Sequence, residues 1–543
     1  MSIFEDILSD LGSFGPYQVI IFILVSCFET PAAWVMFLPV FTGAKLQWAC
    51  PVEADQNNNR TDWYNVNGTV QNWSMNTCTP DNKVCEGIQY NQEFTSLMSE
   101  WNLICDQAFV SELITTIQMI GVLVGACITG QLADTFGRKR VLYVEYTLML
   151  AVWFSSSFVT SWHLYAVLRF IIGALFAGVM IVNFVLPIEF VGPQWRTFCG
   201  CIGFWAVGVM TLSLWAYLIR DWRTLCIATS VSSVGILLSW WVVPESARWL
   251  VQKGRFEEAY TILKRVAKFN KKTAPDITML QAAVEEEQNR LKENKKYSYW
   301  HLFKTVQMAK NTCTSLYIWF VCGSVYYGIS FNVKNLSGDR YINNFLSGLV
   351  EIPALILVVA INNKVGRKKT LFALLMLAGL SSFSIFIISF SSELKEQVVL
   401  TQVLAMLGKS GISGGWAAAQ VFSAEMFPTV VRNLGYGACS MSARIGLILA
   451  PQFVYLHQYT ESLPYVVFGV LGITSAISCL FLPETTGKAL PEVIQHKQQH
   501  SECPARDSPS HNDQLHEDVN PQHDVSLDEF HSMQAILQKN STV

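Results

Sequence analysis

Four ionisable residues, Glu29, Glu351, Lys409 and Arg444, stand inside long apolar stretches of the 543-residue sequence. A charge in the middle of a membrane span costs about 2.5–3.5 kcal/mol on insertion scales, so such residues usually face a cavity or pair with one another. Arg444 lies too deep in its stretch to snorkel easily, and its planar guanidinium fork matches a carboxylate bidentately. Glu29 precedes Thr30-Pro31, where a carboxylate could neutralise an ammonium group, accept a proton or pair with Arg444; hydration in an open vestibule is the plainer alternative. Glu351 and Lys409 serve either as ligands or as ties between helices. Trp205, Tyr326, Tyr327 and Trp416 offer aromatic faces, over which cation–π attraction reaches about 2 kcal/mol when desolvated. Packing, or an interfacial belt, is the alternative role for each. This chemistry is non-covalent recognition of a small charged organic solute. It favours a zwitterion over a bare cation, which would meet Arg444 as a like charge.

Covalent chemistry finds no comparable support. Gly408-Lys409-Ser410 has the ending of a phosphate-binding loop, but Val403 occupies the place of the required first glycine. Six of the nine histidines (His496, His500, His511, His516, His523, His531) are scattered through residues 493–543 without metal-ligand spacing. No cofactor, no metal and no enzyme activity is expected. A coupling ion, Na+ or H+, stays open. The net charge of −3 gives no reason to expect nucleic acid.

The elements that must position these residues are membrane helices. Hydrophobic residues make up 51% and charged residues 15% of the chain, with mean hydropathy +0.31, where a soluble chain carries roughly a quarter charged residues. Stretches long enough to span a bilayer fall at 18–41, 111–133, 141–160, 164–187, 198–219, 223–243, 312–331, 341–361, 370–390, 397–423, 434–456 and 464–482. Basic residues set the orientation: the segment 244–311 has 14 Lys/Arg against 8 Asp/Glu, whereas the loop 43–110 has only Lys45, Arg60 and Lys83 against 8 acids. Both termini are therefore expected in the cytosol. Sequons at Asn59, Asn67 and Asn72 all fall in the loop assigned outside. So do Cys50, Cys78, Cys85 and Cys105, which allow three disulfide pairings in an oxidising compartment. Phe4, Ile7, Leu8 and Leu11 form one apolar stripe at the N-terminus, and Ser541-Thr542-Val543 fits a PDZ ligand.

The sequence repeats. Asp134-Thr135-Phe136-Gly137-Arg138-Lys139 recurs as Asn363-Lys364-Val365-Gly366-Arg367-Lys368, Glu189 with Arg196 recurs as Glu425 with Arg432, and Pro244-Glu245-Ser246 recurs as Pro483-Glu484-Thr485, at offsets of 229, 236 and 239 residues. Three landmarks in order at nearly one offset indicate two six-helix halves. Such carriers bind at the midplane between halves and rock about that site. Asp134, with Gly137 permitting a tight turn before Arg138, and the neighbours Glu189/Arg196, Glu245/Arg248 and Glu425/Arg432, are expected to tie helix ends in one conformation and release them in the other. Ordinary basic flanking is the alternative.

Gly130-Gln131-Leu132-Ala133-Asp134-Thr135-Phe136-Gly137-Arg138-Lys139 resembles the loop signature of the major facilitator superfamily. Glu100-Trp101-Asn102-Leu103-Ile104-Cys105-Asp106, Pro244-Glu245-Ser246-Ala247-Arg248-Trp249-Leu250, the run from Ala424 through Glu425 and Pro428 to Asn433, and Leu482-Pro483-Glu484-Thr485 narrow it. Over residues 4–492 the chain resembles the organic cation, anion and zwitterion (carnitine) transporter family. Tyr217-Leu218-Ile219-Arg220-Asp221-Trp222-Arg223 and Gly254-Arg255-Phe256-Glu257-Glu258-Ala259 look most like its carnitine-type branch. The resemblance implies an all-α polytopic major facilitator fold of 12 transmembrane helices in the plasma membrane. It also implies that the place of Arg444 holds Arg in anion and carnitine carriers and Asp in cation carriers. Asn363 departs from the signature, which prefers Asp, and puts the stronger latch in the first half. The expected divisions are 1–17, an amphipathic cytosolic segment; 18–243, the first half; 244–311, a cytosolic loop; 312–482, the second half; and 483–543, a disordered tail. The expected function is alternating-access transport of a carnitine-like zwitterion or organic cation, with an organic anion carrier or a non-transporting receptor or scaffold as alternatives.

Overall fold

The computed structural model describes residues 3–51, 62–66, 69–75, 78, 81–85, 87–91, 93–201, 203–293, 298–389, 398–428 and 430–485. The chain divides into residues 1–494 and 495–543; the second unit, with Ser541-Thr542-Val543 and the scattered histidines, lies outside the described residues. Among the described residues, twelve core helices make up most of the first unit: α1 (Pro16–Thr42), α2 (Val110–Phe136), α3 (Arg138–Ser156), α4 (Trp162–Ile188), α5 (Trp205–Leu218), α6 (Trp222–Trp241), α7 (Val306–Asn332), α8 (Arg340–Asn362), α9 (Arg367–Ile388), α10 (Val398–Met426), α11 (Arg432–Tyr455) and α12 (Leu463–Cys479). Among the described residues nine helices are long and apolar enough to cross a membrane, α5 counting together with the short helix before it as Phe198–Leu218. The remaining three are α3, α10 and α12. Helix α3 opens on Arg138-Lys139-Arg140, α10 sets Lys409 among glycines and serines, and α12 has only 17 residues.

Small residues bring helices close where lipid gives them no hydrophobic reason to associate. A Cβ on Gly125 of α2 would lie 2.0 Å from the Ala174 carbonyl oxygen of α4, and one on Gly446 of α11 would lie 2.3 Å from the Phe320 carbonyl oxygen of α7. Two helices break where a proline one turn later removes the ladder hydrogen bond. Helix α1 breaks at Cys27–Phe28 before Pro31, and α8 breaks at Val350 before Pro353. The breaks leave Glu29 and Glu351 at the first positions of the resumed helices.

The loop between α1 and α2 departs from the purely helical expectation. It holds a small sheet of β1 (Trp48–Pro51), β2 (Asp62–Val66), β3 (Thr69–Met75) and β4 (Gln89–Tyr90), antiparallel in the order β2-β3-β1-β4. Disulfides join Cys50 to Cys85 and Cys78 to Cys105, one of the three pairings open from sequence. Asn72 lies in β3 opposite Trp63; Asn59 and Asn67 lie outside the described residues. The molecular face carrying this loop is called the disulfide face. On the opposite face, the helix Ile3–Asp10 buries Phe4, Ile7 and Leu8 and packs on the helix Ile277–Glu293, where the Ile3 amide donates to Glu286.

Candidate functional site

The centre of the molecule is an aromatic cluster built from both halves. Phe37 of α1, Phe176 of α4 and Trp205 of α5 meet Tyr326, Tyr327 and Phe331 of α7 and Trp416 of α10. Ring centroids lie 5.7 Å apart for Phe37–Trp205, 6.0 Å for Phe37–Tyr327 and 5.6 Å for Tyr326–Trp416. One hydrogen bond crosses between the halves here: Trp205 Nε1 donates to the Tyr326 hydroxyl at 2.8 Å. That hydroxyl in turn donates to Glu351 Oε1 at 2.8 Å. Lys409 Nζ lies 2.9 Å from the same oxygen, donates to Ser330 Oγ and sits 3.3 Å from the Tyr326 ring centroid. Glu351 and Lys409 are buried, at 2% and 1% exposure, whereas Trp205 and Trp416 are half-buried. The structure therefore gathers Trp205, Tyr326, Tyr327, Glu351, Lys409 and Trp416 into one cluster from four helices.

Arg444 lies beside this cluster. It is half-buried on α11, donates to Ser440 one turn back, and has Tyr327, Tyr436 and Cys127 of α2 within electrostatic reach. Among the described residues no carboxylate lies within ion-pair distance of it. Pairing with Glu29 is thus not realised. Glu29 is held at the start of α5, where Trp205 N donates to Oε2 and Asn183 Nδ2 to Oε1, both at 3.1 Å. A carboxylate at a helix N-terminus meets unsatisfied amide donors and the positive end of the helix dipole. A Cβ on Gly203 would lie 1.9 Å from Glu29 Oε2, so the glycine makes room for the acid.

The charged landmarks on the opposite face meet partners other than their sequence neighbours. Arg138 reaches Asp134 at 2.8 Å and Glu189 at 3.3 Å, and its counterpart Arg367 reaches Glu425 at 2.7 Å. Arg196 pairs with Glu5 at 3.1 Å instead of Glu189, and Arg248 lies 4.0 Å from Glu5 instead of meeting Glu245. Arg432 donates Nε to the Phe427 carbonyl. Glu245 accepts from Lys139 N at 2.9 Å and Ser246 N at 3.0 Å, and Glu484 accepts from Arg367 N at 3.0 Å, so each acid seats on the first turn of α3 or α9. Gly137 has φ 102° and Gly366 φ 110°, the left-handed region in which a side chain is strained. The ion pairs of Arg138 lie within the first half and that of Arg367 within the second. The internal repeat of the sequence reappears as the same device built twice.

Contacts between the halves gather toward the disulfide face. Glu112 of α2 pairs with Lys334 just past α7, Gln452 of α11 donates to Thr116 of α2 at 2.9 Å, and Asn344 of α8 donates to Ser213 of α5 at 2.8 Å. Sequence reasoning missed Glu112 and Lys334, which read as ordinary charges at span ends. It also missed two buried mid-span charges whose signal was present. Arg169 of α4 donates to the Val35 carbonyl at 3.1 Å, and Glu145 of α3 accepts from Thr129 at 2.8 Å.

The family model for sugar (and other) transporters matches residues 53–496. The organic cation transporter protein of Drosophila melanogaster is 33% identical over 530 residues, covering 92% of this chain and 96% of its own. Human organic cation/carnitine transporter 2 is 32% identical over 543 residues, covering 94% and 96%. Solute carrier family 22 member 4 of Mus musculus is 32% identical over 530 residues, covering 91% and 94%. Among solved structures, the inward open xylose transporter XylE from E. coli aligns with TM-score 0.61 at 15% identity, covering 87% of this chain and 98% of its own, a likeness of fold.

Proposed function

This chain belongs to the organic cation/carnitine transporter family of the major facilitator superfamily, a family of carriers and not of enzymes, and from that premise we propose that it carries a small zwitterion of carnitine type across the plasma membrane by alternating access. The observation that carries the reading is Arg444: a half-buried guanidinium beside the central cluster with no carboxylate in ion-pair reach among the described residues. A buried charge without a counter-ion is costly, and a solute carboxylate supplies one bidentately. The half-buried faces of Trp205 and Trp416 then receive a cationic head. Organic cation and carnitine transport in the names of the relatives supports the same solute class.

In this reading the disulfide face is extracellular and the opposite face, with both termini, is cytosolic. The contacts joining the halves near the disulfide face, with the ion pairs of Arg138 and Arg367 each within one half on the other, support a carrier caught open to the cytosol. Because Lys409 is already paired with Glu351, Arg444 is the cation left for a solute, and an organic anion is the competing reading. Uptake of labelled carnitine, tetraethylammonium and an aryl carboxylate into cells expressing the chain separates the readings. Carnitine dominates if the solute is a zwitterion. Uptake of the aryl carboxylate alone transfers the assignment to anions, and uptake of none of the three removes it.

A further inference from the structure

The central cluster already contains a cation, and that cation is part of the chain. Lys409 Nζ sits 3.3 Å from the Tyr326 ring centroid, 2.9 Å from Glu351 Oε1 and 5.9 Å from the Phe37 ring centroid. Aromatic faces and a buried carboxylate are what a solute ammonium needs. We propose that Lys409 is a tethered stand-in for the solute's cationic head, occupying Glu351 and Tyr326 in the empty carrier and yielding them when solute binds. The proposal rests on the reading of the chain as a carrier of solutes with a cationic head.

The physical reason lies in the return step. A carrier reorients twice per cycle, once loaded and once empty. Glu351 is buried at 2% exposure, and a buried carboxylate deprived of its partner resists any rearrangement that keeps it dry. In the loaded carrier the solute ammonium satisfies it. In the empty carrier Lys409 does so, while the Ser330 hydroxyl, to which Lys409 also donates, remains as its anchor when the solute takes over. The empty carrier therefore reorients without a second solute, and net transport needs no exchange partner. A lysine at this position that merely tied α8 to α10 would affect loaded and empty steps alike.

Two measurements on the full-length protein test this. In proteoliposomes loaded with labelled carnitine, efflux into solute-free buffer is compared with efflux into buffer holding saturating unlabelled carnitine. The wild-type ratio of the two rates is near one, and Lys409→Gln lowers that ratio at least about tenfold, because an empty carrier with unpaired Glu351 stalls. The double variant Glu351→Gln/Lys409→Gln removes both charges and with them the solute's carboxylate partner, so its recovery is read in the solute-free switching measurement below. An unchanged ratio in Lys409→Gln, or no recovery in the double variant, overturns the proposal. The second measurement needs no transported solute: single-molecule energy transfer between dyes on the opposite-face ends of α2 and α11, recorded on solute-free protein in nanodiscs. Switching slows about tenfold in Lys409→Gln and recovers in the double variant; unchanged switching rejects the stand-in role. A chain that carries no carnitine defeats the assigned solute, and the switching data still decide the role of Lys409.

Discussion

One hydroxyl holds the two halves together at the centre. Tyr326 accepts from Trp205 across the interface and donates to Glu351, the partner of Lys409. Tyr326→Phe keeps the ring under the ammonium but leaves a carboxylate oxygen and an indole N–H each short of one bond, a loss of about 1–3 kcal/mol. The purified variant should melt at a lower temperature, and its Michaelis constant for the cationic head should rise several-fold; unchanged values of both would show that the bond does not matter. At this scale the sequence singles out charges in apolar spans more readily than it tells what they touch. Glu351, Lys409 and Arg444 stand out because charge in an apolar span is expensive. Their partners depend on which helix faces which. Lys409 meets Glu351 across α8 and α10, and Arg196 turns to Glu5 at the far end of the chain, relations that spacing along one helix does not encode. Arg169 and Glu145 were legible by the same rule of cost and were passed over.

The turn between α2 and α3 shows what an element contributes. Gly137 turns the chain with φ 102°, and a Cβ there would come within 2.4 Å of Glu245 Oε2, the carboxylate that seats on the first turn of α3. Gly137→Val combines backbone strain with eviction of Glu245, and should reduce surface expression severalfold when measured by surface biotinylation. Asp134 differs. Its side chain is 74% exposed in the pair with Arg138, and exposed pairs contribute little stability. Asp134→Asn should therefore leave surface expression near wild type while cutting uptake by about tenfold, if Asp134 exchanges partners as the halves rock; wild-type turnover would remove the latch. Spans and turns were legible because long apolar runs, Gly137 and the repeated basic motif are local signals. The sheet β1 to β4 was not, because its strands are short and its order β2-β3-β1-β4 pairs segments distant in sequence.

At the scale of the whole molecule, two halves meet near one face and enclose the aromatic cluster beneath it. The pair Glu112–Lys334, with Gln452–Thr116 and Asn344–Ser213, closes the disulfide face. Glu112→Gln leaves Lys334, only 5% exposed, without its counter-charge, so opening that face to water becomes favourable. A membrane-impermeant thiol reagent added outside cells should then reach Cys127, which lies near Arg444, several times faster than in wild type, with Cys127→Ser as the background; an equal rate would mean the pair does not gate. The two-half architecture was legible from the repeat, and the arrangement in which the halves meet was not, because contacts between distant helices are not written in the spacing along either one. The assignment of a zwitterion is tested most directly by uptake of a matched pair of solutes, carnitine and the same quaternary ammonium without its carboxylate, into cells expressing wild type, Arg444→Ala or Arg444→Lys. Carnitine uptake should vanish in Arg444→Ala and recover poorly in Arg444→Lys, because one ammonium does not reproduce the planar fork, while relative transport of the carboxylate-free solute rises. An equal fall for both solutes would contradict the assignment and make Arg444 a structural residue.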